Sequence, residues 1–190
     1  MQSRLRATAL GRWDDGLEYY RAVLSHDPLN AGRVEAYADC LLRSGNYSEA
    51  EEQARRVVLI SPTEDIVGIW LARVLLARGD LPGALKAFEQ ISLPDLKLAG
   101  LAAVYHAMGR GKDSDEAMQK LETNMFKTSP YAIAQAHAYR GEFDAALTWL
   151  DRSWDAKDGW LSLAKGDPAF TQYRDNPRYR AWLHKIGLPD

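Results

Sequence analysis

The residues of this chain that could bind a metal or act as a nucleophile or base are few. They are Cys40 and the histidines His26, His106, His137 and His184. A metal site needs such residues in close pairs, for example four apart on one helix face or in a Cys-x-x-Cys turn. No histidine here has a partner at that spacing, and Cys40 has no histidine near it in sequence. We therefore predict no metal, no cofactor and no catalytic residue, and we interpret these side chains as structural.

Two further patterns that resemble functional motifs also have structural explanations. The stretch 109–115 contains two glycines and Lys112, but it lacks the spacing of a phosphate-binding loop, and no Ser or Thr follows the lysine. Acidic residues cluster at 14–15, 49–52 and 113–116, where helices are expected to start. Negative charge there complements the helix dipole, so no catalytic carboxylate pair is needed to explain it.

The most regular feature of the sequence is a period of 34 residues. Gly11, Gly45 and Gly79 are 34 residues apart. Each is followed five residues later by a small residue, namely Gly16, Ala50 or Ala84. A fixed period in this range is typical of stacked repeats rather than of one closed globule. Within 31–62, apolar residues three and four apart indicate two helices, with Asn30 as the first N-cap and Gly45 in the turn between them.

Later units follow the period less closely. In the fourth unit the small residue is either Ser114 in register or Ala117 after a three-residue insertion, and we favour the insertion. The fifth unit is regular again, with Ser129 as N-cap and a proline in the first turn of its first helix. After about Lys157 the period is lost, and Gly-Asp-Pro and Asp-Asn-Pro turns separate short segments rich in aromatic residues. We expect these segments to cover the open face of the last repeat.

The 34-residue helix–turn–helix unit, with its spaced small, aromatic and proline residues, resembles the tetratricopeptide repeat (TPR) family. The resemblance implies an all-α fold, a right-handed α-solenoid of about five helix–turn–helix units with a short helical C-terminal cap. We expect the array over 1–158 and the cap over 159–190. The units are expected near 1–30, 31–64, 65–94, 95–126 and 127–158.

The C-terminal part has a second, narrower resemblance. Its Gly-Asp-Pro, Asn-Pro-Arg-Tyr and Ile-Gly-Leu-Pro elements are similar to the TPR segments of bacterial signalling proteins. In those proteins the array follows a winged-helix, nucleotide cyclase or kinase domain. The resemblance implies a sensory or scaffolding role, and it leaves open whether the chain is a piece of such a longer protein.

Composition limits the partners. The net charge of −2 lacks the basic excess of a nucleic-acid-binding protein. The longest apolar runs fall far short of a membrane span, and the N-terminal residues do not form a secretory signal. We therefore expect no nucleic-acid partner, no membrane insertion and a cytoplasmic location.

Stacked helix pairs curve so that the first helix of each pair lines a concave groove, which we predict to bind a peptide or a partner protein. Some family members clamp a peptide carboxylate there, but the acidic Glu35 and Asp39 would repel one, so we expect a ligand of basic or mixed charge. By helical spacing, the groove residues are Leu5, Glu35, Asp39, Arg43, Ile69, Trp70, Arg73, His106, Tyr131, Gln135 and Tyr139.

Two alternatives remain for the function. The first is a homo-oligomeric scaffold that self-associates through the aromatic C-terminal region. The second is an enzyme or small-ligand receptor that uses the groove around Trp70, His106 and Tyr139.

Overall fold

The computed structural model describes residues 11–61, 67–125 and 129–188. All regular secondary structure in these ranges is helical. The α-helices are α1 (Trp13–His26), α2 (Ala31–Arg43), α3 (Tyr47–Ile60), α4 (Val67–Arg78), α5 (Leu81–Glu89), α6 (Pro94–Ala107), α7 (Gly111–Met125), α8 (Pro130–Tyr139), α9 (Phe143–Asp155) and α10 (Pro177–Lys185). Two 3₁₀ segments, Gly159–Gly166 and Pro168–Tyr173, lie between α9 and α10. The chain forms two compact units, Met1–Ser92 and Leu93–Asp190. The prediction of an all-α fold built from helix–turn–helix repeats, the α-solenoid class, is confirmed.

The hairpin of α2 and α3 shows how the sequence specifies a repeat. The Asn30 side chain accepts a hydrogen bond from the Arg33 backbone N–H at 3.2 Å, which caps α2 as predicted. Val34, Leu41, Ala50 and other residues of the predicted apolar faces of α2 and α3 are completely buried. The methyl side chain of Ala50 leaves room for the two helices to approach closely, because a larger group would separate them.

The turn between paired helices requires a left-handed residue. Gly45 has φ +83°, and the Asn46 N–H donates to the Leu41 carbonyl at 2.9 Å, which closes the end of α2. A side chain at this φ is strained, so glycine is favoured. The same conformation recurs at the other turn glycines of the period, Gly11, Gly79, Gly109 and Gly141.

The second unit corrects two details of the predictions. Ser114 is completely buried and occupies the small-residue position five after Gly109, so the predicted insertion leading to Ala117 is wrong. The burial is possible because the Ser114 hydroxyl donates to the Ala102 carbonyl at 2.8 Å. Ser129 is at the N-cap position of α8, but its side chain does not cap the helix. Its hydroxyl donates instead to the Asp95 carboxylate of α6.

The C-terminal segments pack on the last helix pair through aromatic rings. Tyr179 of α10 stacks between Phe170 and Trp182, with ring centroids 5.5 and 6.2 Å away. All three residues are buried. The Tyr179 hydroxyl donates to the Ala164 carbonyl at 2.7 Å, and burial raises the pKa of that hydroxyl well above its usual range. No described helix is long and apolar enough to span a membrane.

Candidate protein-binding surface

Three predicted groove residues of the first unit form one cluster on α2 and α4. The Trp70 indole N–H donates to the Glu35 carboxylate at 2.9 Å. The guanidinium carbon of Arg73 lies 5.2 Å from the centroid of the Trp70 ring, close enough for a cation–π interaction. Glu35 and Arg73 are half-buried, whereas Trp70 is only 9% exposed. Trp70 therefore acts as the centre that fixes two charged side chains at the surface.

A second pair on α2 also comes from the predicted set. Arg43 Nε is 2.8 Å from both carboxylate oxygens of Asp39, one helical turn earlier. The Arg43 side chain is 2% exposed and the Asp39 side chain 19%. An arginine so deeply buried needs a charged partner, since an uncompensated buried charge is costly. Asp39 thus compensates Arg43 while part of its carboxylate remains at the surface.

Four of the predicted groove residues lie in the interior of the fold. Ile69, Trp70 and Arg43 are buried within the first unit, and Tyr131 is buried within the second. The prediction placed them by helical spacing, which gives the direction of a side chain but not what covers it. Their side chains are therefore part of the packing that supports the surface.

The burial of Tyr131 has a specific cause. Asp167, at the start of the second 3₁₀ segment, accepts the Tyr131 O–H at 3.1 Å and the Gln135 side-chain N–H at 2.6 Å. Gln172 and Tyr173 of the same segment donate to the Ala138 carbonyl, at 2.7 and 3.2 Å. The C-terminal segment therefore lies on this face of α8.

The remaining predicted groove residues lie at other positions along the chain. His106 is exposed near the end of α6, and Tyr139 is half-buried at the end of α8. Leu5 lies outside the described residues.

Asp167 and Glu122 are important polar residues that the sequence analysis missed. Asp167 is 1% exposed and anchors the C-terminal segment to α8. Glu122 binds His137 across α7 and α8. Asp167 could have been noticed in the Gly-Asp-Pro turn, where an aspartate before a proline often caps a helix. Glu122 carries no local signal.

The Cys40 thiol is buried and is not activated as a nucleophile. Burial raises the pKa of the Cys40 thiol to about 11, with a further contribution from Asp39, so the reactive thiolate is disfavoured at neutral pH. Within the described ranges, no group of three histidine, cysteine or acidic residues is arranged to hold a metal ion.

Comparison with solved structures agrees with this fold. The crystal structure of MamA aligns with a TM-score of 0.57 at 18% identity, over 80% of this chain and 93% of that chain. A second crystal structure of MamA aligns with a TM-score of 0.56 at 18% identity, over 82% of this chain and 88% of that chain. The crystal structure of a tetratricopeptide repeat protein from Parabacteroides merdae aligns with a TM-score of 0.60 at 16% identity, over 95% of this chain and 73% of that chain. At these identities the likeness is one of fold alone.

Sequence comparison identifies the repeats themselves. A search of curated proteins found no match to the chain. Two family models with the same description, tetratricopeptide repeat, do match. The first matches residues 7–68, and the second matches 67–90 and 131–152. Together the models match more than half of the chain, which therefore belongs to the tetratricopeptide repeat family.

Proposed function

We propose that the chain is a non-enzymatic protein-interaction module that binds a peptide or a segment of a partner protein on the first helices of its repeats. The observation that carries the proposal is the Glu35–Trp70–Arg73 cluster, in which a buried ring fixes two opposite charges on α2 and α4. Charged side chains held in place before binding lose little conformational entropy when a ligand arrives, which increases affinity.

The charges of this surface favour a ligand of basic or mixed charge. Glu35 and Asp39 are both partly accessible on α2, and Arg73 supplies a positive charge on α4. A peptide carboxylate placed beside Glu35 and Asp39 would meet like charge, which suppresses binding of such partners. A lysine or arginine side chain of the ligand would be attracted there, while an acidic residue further along the ligand would fit Arg73.

The partner is proposed to belong to a bacterial signalling or regulatory assembly. The support for this part is the similarity of the Gly-Asp-Pro, Asn-Pro-Arg-Tyr and Ile-Gly-Leu-Pro elements to those proteins. Co-purification from a bacterial lysate, followed by mass spectrometry, would test it. Recovery of regulators or kinases that Glu35→Lys no longer retains is expected, and recovery of unrelated proteins would contradict it.

The binding surface is tested by titrating fluorescent peptides of acidic, basic and mixed charge against charge-reversal variants. We expect Glu35→Lys and Asp39→Lys to weaken the best basic or mixed peptide by about tenfold, as for loss of one favourable charge pair. We expect Asp39→Lys also to lower stability, because it removes the carboxylate that compensates Arg43. Glu52→Lys is the matched control, because Glu52 is exposed on the second helix α3 of the same hairpin. Equal binding to all three variants would refute the location of the surface, provided that circular dichroism shows each variant to be folded.

A second candidate function, self-association, is favoured by two exposed aromatic residues. Trp154 in the last turn of α9 is 42% exposed, and Trp160 in the first 3₁₀ segment is 40% exposed. Large exposed aromatic side chains are enriched in protein interfaces.

Sedimentation velocity over a hundredfold range of concentration would distinguish this candidate. Self-association predicts a sedimentation coefficient that rises with concentration and that Trp154→Glu with Trp160→Glu abolishes. Leu59→Glu is the control, since Leu59 is 82% exposed in the first unit. A monomer at every concentration would eliminate this candidate.

A further inference from the structure

The second unit contains a polar cluster that the proposed binding surface does not include. At its centre is His137, near the end of α8, whose side chain is 11% exposed. Its Nδ1 lies 2.6 Å from Glu142 Oε2, in the turn between α8 and α9. Its Nε2 lies 2.8 Å from Glu122 Oε1 on α7. One buried ring thus contacts two carboxylates from two different elements.

The protonation state of the ring decides how many of these contacts are hydrogen bonds. A carboxylate only accepts, so both contacts are hydrogen bonds when the imidazolium donates from both nitrogens. A neutral imidazole has one N–H, and its other nitrogen would present a lone pair to a carboxylate oxygen. The protonated ring and the neutral ring therefore make different numbers of hydrogen bonds in this cluster.

Glu142 is held by more than His137. Arg140 donates to Glu142 Oε1 from Nε at 3.0 Å and from Nη2 at 2.8 Å, and Nη2 also lies 2.7 Å from Asp115 on α7. Burial raises the pKa of the Glu142 carboxyl, but the bonds from Arg140 and His137 outweigh burial and leave that pKa below its usual value. Glu142 therefore stays ionised and compensated when His137 loses its proton.

Glu122 depends on His137. Its side chain is 42% exposed, and its ion pair in the described part of the chain is the one with His137. Tyr173 also lies near this cluster. Its hydroxyl donates to the Ala138 carbonyl, and burial, together with the charge of Glu142, raises the pKa of that hydroxyl. If the neutral ring keeps its proton on Nδ1, Nε2 presents a lone pair to Glu122, whose partly exposed carboxylate is then better solvated by water.

We propose that His137 is a pH-dependent latch, which holds Glu122 of α7 against α8 when the ring is protonated and releases it when the ring is neutral. The latch joins the second helix of one repeat to the first helix of the next. Its release would loosen the C-terminal half of α7, so that the rigidity of this repeat junction depends on pH.

The test is amide hydrogen exchange of the full chain at pH 5.5 and pH 8.0, corrected for the intrinsic pH dependence of exchange. We expect protection of residues 117–124 in the wild type to be about threefold to fivefold higher at pH 5.5, as for a partly exposed ion pair. Glu122→Gln should abolish this pH dependence, and His137→Gln should do the same. His106→Gln is the control, because His106 is an exposed histidine of the same unit.

Two results would overturn the latch. One is a wild type whose α7 protection is the same at both pH values. The other is a Glu122→Gln variant that retains the wild-type pH dependence, and this variant decides the matter even where His137→Gln does not fold. Nitrogen NMR of the His137 ring adds a direct readout, since the proposal requires two N–H groups at pH 5.5 and one at pH 8.0.

Discussion

Replacement of Asp167 by alanine should detach the C-terminal segment from α8. Asp167 is 1% exposed, and its Oδ2 accepts the Tyr131 hydroxyl and the Gln135 amide, while its Oδ1 accepts the Ala169 N–H at 3.0 Å. Alanine removes all three bonds and leaves the buried Tyr131 hydroxyl without this acceptor. A buried donor that loses its charged acceptor typically costs about 1–3 kcal/mol, so the two buried donors, Tyr131 and Ala169, put the total loss at about 2–6 kcal/mol.

A loss of that size approaches the whole stability of a small domain, so a milder variant is needed. Asp167→Asn keeps the shape but has one acceptor oxygen, which can serve either the Ala169 side or the α8 side. We expect about 1–3 kcal/mol for Asp167→Asn, the usual cost of an unsatisfied buried group. The predicted order of the free energies of unfolding is wild type, then Asp167→Asn, then Asp167→Ala.

The assay is urea unfolding followed by tryptophan fluorescence, with hydrogen exchange of residues 130–139 as a local measure. Asp158→Ala is the matched control. Asp158 also caps a 3₁₀ segment, through the Trp160 N–H at 3.0 Å, and also contacts α8, through the Tyr131 N–H at 3.2 Å, but it is only half-buried. We expect the Asp158→Ala control to lower the free energy of unfolding by about 1 kcal/mol, as for loss of an ordinary cap. Equal losses for Asp158→Ala and Asp167→Ala would show that burial of the Asp167 carboxylate is not what anchors the segment.

Four further outcomes are expected from the remaining structure. Gly45→Ala should lower the free energy of unfolding by about 1 kcal/mol, because the added Cβ meets no atom within 4 Å and the cost is backbone strain at φ +83°; an unchanged urea midpoint would contradict this. Lys157→Gly should instead raise the free energy of unfolding by up to about 1 kcal/mol in urea unfolding, because Lys157 has the left-handed φ of +55° that glycine adopts without strain. A lower free energy of unfolding would contradict this. The pKa of the Glu142 carboxyl is lower in the folded state than in the unfolded state, so its stabilising contribution is present above about pH 4.5 and is lost as pH falls through the folded value. The Tm should therefore fall less between pH 6 and pH 3 in Glu142→Gln than in the wild type. An identical fall in Tm for the two proteins would contradict this. A double-mutant cycle of Trp70→Phe with Glu35→Ala should give a coupling of about 1 kcal/mol for their hydrogen bond, and additive losses would contradict that bond.

The helices and turns could be predicted because their signals are local. Asn30 caps α2 through a bond to a backbone group three residues away, and Gly45 is required by the dihedral angle of a single residue. The small residue at Ala50 is set by the adjacent helix of the same hairpin. Each of these needs only a short stretch of sequence, and the 34-residue period repeats the signal so that it stands out.

The choice between Ser114 and Ala117 failed for a different reason. A polar stretch precedes the apolar residues Ala117, Met118 and Leu121, and this pattern favoured the insertion. The structure buries Ser114 because its hydroxyl reaches the Ala102 carbonyl and also accepts from Arg140 Nη1 at 2.5 Å. A polar residue can therefore fill a buried position when distant partners satisfy it, and those partners are not visible in the local sequence.

The candidate surface was predicted only in part. Helical spacing placed Glu35, Trp70 and Arg73 in one set, and in the structure these three side chains contact one another across α2 and α4. It could not reveal that Ile69 is covered, or that the C-terminal segment lies on Tyr131. Burial of these residues depends on their tertiary neighbours. The 3₁₀ segments, which lie on Tyr131, have no hydrophobic periodicity from which their position could be predicted.

Two classes of residue, those that satisfy backbone and packing constraints and those at the surface, explain how a shared fold coexists with sequence identities of 16–18% to other repeat structures. The turn glycines and small crossing residues satisfy backbone and packing constraints, which many otherwise different sequences can meet. Glu35, Asp39 and Arg73 lie at or near the surface, where the fold imposes weaker constraints and the charge pattern can follow the partner. Substitutions at Gly45 or Ala50 therefore measure stability, whereas charge reversal at Glu35 measures recognition. A partner identified through its sensitivity to Glu35→Lys and its indifference to Glu52→Lys would consequently report on this chain's own surface rather than on the fold that it shares with its structural neighbours.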